Sequence, residues 1–167
     1  KKMFSNGEKM YKSFIRKQKD KEQKDKLVDT LLSIYDKRIE CFGQKGFLLG
    51  KKGVDIMKYR KNGSYEEAYN VLSESIEIQG NKSKGSALTA YFESTVKMLE
   101  NEKLEKLKLI EIFENINSIN EYQLSKITDE KKRQFYVTAK ENIALLFEPI
   151  ASCEDLIEMY TARFEEN

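Results

Sequence analysis

Few side chains in this sequence are equipped for covalent chemistry. The 167 residues include no histidine, which closes off serine–histidine and cysteine–histidine nucleophilic catalysis and imidazole metal sites. The two cysteines, Cys41 and Cys153, have no spacing partner for zinc and make no disulfide framework. Both stand among apolar neighbours in helical pattern, so both are expected as buried free thiols. Acid pairs such as Glu66-Glu67 and Glu165-Glu166 are plentiful. General acid–base work needs a carboxyl with a shifted pKa held in a cleft, whereas acids on amphipathic helices ordinarily face solvent. No cofactor and no metal is implied.

One glycine-rich stretch, Gly46-Phe47-Leu48-Leu49-Gly50-Lys51-Lys52, has the outline of a phosphate-binding loop. It departs from that motif in three ways: three residues rather than four separate the glycines, no Ser or Thr follows the lysine, and no strand precedes it. Gly50 and Gly53 read instead as sites of close helix packing, at about 1 kcal/mol each in helix propensity. A backbone opening for a ligand is the other reading. The sequons Asn62-Gly63-Ser64 and Asn81-Lys82-Ser83 are accounted for by turn chemistry.

Charge narrows the partners. Thirty basic residues face 28 acidic ones, a net charge of +2, and the most basic stretch, Arg16 to Lys26, carries Asp20, Glu22 and Asp25. It reads as a solvated junction between two helices rather than a phosphate-binding face, so no nucleic-acid partner is expected. No apolar run approaches the roughly 20 residues that span a bilayer, so no membrane insertion is expected. No signal peptide is visible, and the chain is expected to be part of a longer protein.

The elements that position these residues are helices. There is one proline, with many Lys, Glu and Leu, and the apolar spacing is helical nearly throughout. A first helix carries Met10, Phe14 and Ile15, and a second carries Leu27 to Ile39. A third runs from about Phe47 to Lys61. The fourth is capped by Ser64 with Glu67 three residues on, the pattern of a capping box, and ends at Gly80. A fifth covers about Lys84 to Leu99. The sixth follows through Ile116, with a run or kink as far as Leu124. Thr128 caps a seventh, with Phe135, Val137, Ala139 and Ile143, and Pro149 closes it. Ser152 opens an eighth.

A period runs through them. Ile39-Glu40-Cys41-Phe42-Gly43 aligns with Ile76-Glu77-Ile78-Gln79-Gly80 at an offset of 37, and one more step reaches Phe113-Glu114-Asn115-Ile116-Asn117. Glycine and asparagine tolerate the left-handed stop of a helix, so three helices are expected to end alike. The opening of the fourth helix then falls into place. Ile56, Tyr59, Gly63, Tyr65-Glu66-Glu67-Ala68 and Leu72 stand at the spacing of the tetratricopeptide repeat, which this stretch resembles over residues 49–82, with looser similarity elsewhere. The chain is also similar in general character to uncharacterised exported bacterial proteins of that repeat class.

The resemblance implies an all-α, right-handed solenoid of antiparallel helix pairs, about eight helices in one domain over 1–167, in units near 5–45, 46–82, 83–127 and 128–167. It implies a non-catalytic scaffold that holds a protein or peptide on its concave face. Met57, Arg60 and Lys61 fall at the family's groove-facing positions, with Gly50 and Gly53 lowering the groove wall. Arg60 is suited to clamp a carboxylate, or to favour a helix end. Tyr91 is an aromatic anchor or a core residue. Two other readings stay open: a spacer or self-association segment of a larger protein, and a helical enzyme with a carboxylate-based site.

Overall fold

A computed structural model describes residues 2–60, 64–150, 152, 157 and 161. These form α1 (Lys2–Lys17), α2 (Lys21–Phe42), α3 (Lys45–Tyr59), α4 (Tyr65–Gln79), α5 (Gly85–Glu100), α6 (Lys106–Lys126) and α7 (Glu130–Phe147), with a 3₁₀ turn at Gly80–Lys82. Among the described residues there is no strand, and the chain is all-α. The expected eighth helix lies outside the described residues apart from Ser152, Ile157 and Thr161.

The helix ends follow local chemistry. Asp20 and Asp129 each accept a hydrogen bond from the backbone N–H three residues on, Gln23 at 2.8 Å and Lys132 at 2.9 Å. Asp129, not the expected Thr128, is therefore the cap of α7. The expected capping box at Ser64 does not form. Ser64 has ψ near 3° and makes no side-chain cap bond. A cap needs extended backbone to aim its oxygen at the first turn. Glu67 instead faces Arg60.

The periodic helix stop holds twice and fails once. Gly43 and Gly80 both have positive φ, 66° and 49°, and their N–H groups donate to the Ile39 and Ile76 carbonyls. The third step does not stop a helix. Asn117 lies inside α6, which runs unbroken to Lys126. Asparagine tolerates the left-handed stop but does not enforce it, and Ile116, Ile119 and Asn120 around it are buried, so packing carries the helix onward.

Neighbouring helices pack in sequence: α1 on α2, α2 on α3, α3 on α4, α4 on α5, α5 on α6 and α6 on α7. In addition α3 touches α5 and α5 touches α7. α5 is the central element, with ten of its 16 residues buried. The main core joins Leu31, Tyr35, Leu48, Ile56, Leu72, Leu88, Phe92, Leu109 and Ile116. Phe113 and Phe147 stack at 3.7 Å between centroids where α6 meets α7.

The α3–α4 seam is the closest. A Cβ placed on Gly53 would stand against Leu72 Cγ and 2.6 Å from its Cδ2. One on Gly50 would stand 2.8 Å from Ser75 Oγ, and one on Gly46 would strike Ile78. Gly50 and Gly53 therefore serve close packing against α4.

α1 is held to α3 differently. Asp55 is 3% exposed, with Lys12 Nζ at 2.7 Å and the Tyr35 hydroxyl donating at 2.6 Å. Glu8, also 3% exposed, accepts from Arg38 at 2.7 Å and from Lys51. Burial and the Asp55 carboxylate push the Tyr35 hydroxyl far above the ordinary tyrosine range.

Cys41 is exposed, against expectation. Residues 40–45 are all exposed, although Phe42 keeps an edge-on ring contact with Phe4 of α1. Cys153 lies outside the described residues. Among the described residues, no helix is long and apolar enough to cross a membrane.

Candidate functional site

Because α3 touches α5 and α5 touches α7, these three helices share one face, and a groove of about 1370 Å³ runs along it. α3 contributes Val54, Met57 and Lys58. α5 contributes Gly85, Ser86, Thr89, Ala90 and Glu93, with Lys84 just ahead of it. α7 contributes Lys131, Lys132, Phe135 and Tyr136. Gln123 and Ile127 close it from the end of α6.

The groove is positioned by a close approach. A Cβ on Gly85 would lie 2.8 Å from the Phe135 carbonyl oxygen and 3.1 Å from Ala139 Cβ. The start of α5 thus rests directly on the backbone of α7. Tyr136 fastens the joint, its hydroxyl donating to the Ser83 carbonyl at 3.0 Å, and burial raises its pKa.

Apolar side chains dominate the floor: Val54, Met57, Ala90, Ile127 and Phe135. Phe135 is 71% exposed, a large aromatic ring with only one side on protein. The charges in the groove are one-sided. Lys58, Lys84, Lys131 and Lys132 line it, and none of them makes an ion pair among the described residues. Among the described residues Glu93 is the sole acid in the lining, and burial raises its pKa.

Of the residues expected to face a partner, Met57 lies in this groove. Arg60 does not line it. Its guanidinium donates to Asp29 at 2.6 Å and stands 3.6 Å from Glu67, so it joins α2 to the start of α4. Tyr91 is buried between α4 and α5, with its ring 5.4 Å from that of Tyr69 and its hydroxyl donating to Ser73 at 3.3 Å. Lys61 and Gly63 lie outside the described residues. Of the repeat-defining residues, Ile56, Tyr59, Ala68 and Leu72 are buried. Tyr65 is half-buried under Lys103, whose ammonium stands 5.7 Å from the ring centre.

Phe135, Lys131 and Lys132 were not anticipated. The signal was present in α7: Tyr136, Ala139 and Ile143 are its buried residues, at helical spacing, and Phe135 stands one position off that stripe. Among the described residues no group of three or more His, Cys, Asp or Glu side chains is arranged to hold a metal ion.

No family model, curated protein or solved structure matches the chain.

Proposed function

We propose that this protein is a non-catalytic scaffold of the tetratricopeptide-repeat type. On this reading its groove across α3, α5 and α7 binds an acidic, amphipathic segment of a partner protein. The observation that carries the reading is the pairing of apolar lining with four lysines that make no ion pair among the described residues. The helix-to-next-but-one contacts and the paired glycine stops at a 37-residue step support the stacked-hairpin, right-handed form of the array. The anchor is Phe135, since interface energy concentrates in large aromatic side chains, and the lysines set charge preference and on-rate.

Selection from a displayed library of helical peptides tests it. The expected binders combine Asp and Glu with apolar residues at i and i+4. The variant with Lys131→Glu and Lys132→Glu should lose them by at least about tenfold, since two rim attractions become repulsions. Phe135→Ser should cost about 2 kcal/mol, or roughly thirtyfold. Arg60→Glu, away from the groove, should leave binding unchanged. Binders that are basic, or that survive both groove variants, would overturn the reading.

A further inference from the structure

A second, smaller pocket of about 200 Å³ lies among α1, α3, α4 and the start of α5. It is below the usual size of a site for a drug-sized ligand, which points to a compact occupant. Its lining holds the glycine-rich stretch noted in the sequence, through Gly46, Gly50 and Lys51. The segment Lys82-Ser83-Lys84-Gly85-Ser86 forms the opposite wall through Ser83, Lys84 and Ser86.

Three features of this pocket agree on the sign of its ligand. The first is the helix end. α5 is 16 residues long. Its lead-in carbonyl at Lys84 accepts from Ala87 and Leu88, and no side chain caps it. The N–H groups of Gly85 and Ser86 come before that first bond, where a helix leaves its donors open and its dipole positive. The second is Ser83. It is 2% exposed, it lines the pocket, and its hydroxyl has no hydrogen-bond partner among the described residues. A buried hydroxyl left unpaired is costly, and an oxyanion would accept from it. The third is charge. Lys12, Lys51 and Lys84 line the pocket against one carboxylate, Asp55. Asp55 is already held by Lys12 and Tyr35, and Lys51 by Glu8. Lys84 has no ion pair among the described residues and is free to meet an incoming charge.

We infer that this pocket is a phosphate-binding site, with the α5 N-terminus, the Ser83 hydroxyl and the Lys84 ammonium as its donors. The phosphate arrives either as a free ion or as a monoester. The groove reading is not needed for it, although Lys84 and Ser86 line both cavities.

The test is a titration of the ¹⁵N-labelled chain at constant ionic strength, once with inorganic phosphate and once with a phosphoserine peptide, with chloride as control. Saturable shifts are expected at the amides of Gly85 and Ser86. Ser83→Ala and Lys84→Gln should each weaken binding about tenfold. Ser83→Ala removes a hydroxyl with no hydrogen-bond partner among the described residues, so its unliganded melting temperature should not fall. The variant with Lys131→Glu and Lys132→Glu should keep phosphate binding whether or not it keeps an acidic peptide, which separates this inference from the groove reading. Equal affinity for both probes identifies a free-ion or small-ester site, and at least tenfold tighter binding of the peptide identifies a carried phosphate. Shifts that do not saturate for either probe, that match those in chloride, or that persist undiminished in Ser83→Ala overturn the inference.

Discussion

Gly53→Ala separates the packing of α3 on α4 from an ordinary helical glycine. On an exposed helix the change would stabilise the protein by about 1 kcal/mol through propensity alone. Here the new Cβ would stand 2.6 Å and 3.0 Å from the two Leu72 methyl carbons and closer still to Cγ. Leu72 is fully buried, and a branch point cannot swing aside as a flexible chain end does. Forcing one carbon into such a core costs about 1–3 kcal/mol. Where the branch atom itself is struck the upper half of that range applies, so the net effect should be a loss of about 1–2 kcal/mol. That lowers the melting temperature by roughly 3–6 °C for a chain of this size. The second arm is Leu72→Ala, which alone should cost about 2–5 kcal/mol by opening a cavity. Combined with Gly53→Ala it should cost at least about 1 kcal/mol less than the two separate losses together, because the inserted carbon then fills part of the space. Urea unfolding followed by helical circular dichroism measures all three variants. If Gly53→Ala stabilises the chain, or the two changes add without coupling, the close contact of α3 with α4 is refuted.

Glu93→Gln should stabilise the protein at neutral pH. Burial raises the folded-state pKa of Glu93 above its unfolded value, so wild-type stability falls as pH rises through that folded pKa. The advantage of the variant should be full above it and should vanish as pH falls to the unfolded value near 4.3, as urea midpoints across pH will show. Asn120→Leu should raise stability by about 1–3 kcal/mol in the same assay, because neither amide atom of this fully buried side chain has a hydrogen-bond partner among the described residues. Glu8→Gln should do the opposite, costing about 3 kcal/mol, since it strips the carboxylate from the buried Arg38 and from Lys51. A loss below about 1 kcal/mol would show that the pair is solvated.

The helices were legible because their apolar spacing is regular and because glycine at Gly43 and Gly80 permits a backbone that other residues resist. The packing residues Ile56, Tyr59, Ala68 and Leu72 were legible for a related reason: small and large side chains alternate where two helices must interlock. Asn117 misled because its tolerance of the left-handed region acts only where packing ends the helix. Ser64 misled because a cap depends on ψ, which no residue type sets alone. In the groove only Met57 was visible in advance. Exposed lysines are common on every helix, and what distinguishes Lys58, Lys84, Lys131 and Lys132 is that they line one groove and none makes an ion pair among the described residues, a fact of tertiary placement. Arg60 shows the converse, since its counter-ion Asp29 lies 31 residues away in the sequence.

The ion pairs between α1 and α3 also act as a keyed lock against sliding. Along α1 the order is acid then base, Glu8 and Lys12. Along α3 it is base then acid, Lys51 and Asp55. The two helices meet in parallel, with each charge facing its opposite. A shift of α1 by one helical turn, about 5.4 Å, would set Glu8 against Asp55 in one direction and Lys12 against Lys51 in the other. The first brings two carboxylates together at positions with little water to screen them, since Glu8 and Asp55 are each 3% exposed, and the second sets two part-exposed ammonium groups against each other. Apolar side chains alone would tolerate several phases of such a contact, whereas this four-letter charge code accepts one, so the first helix docks in a single frame.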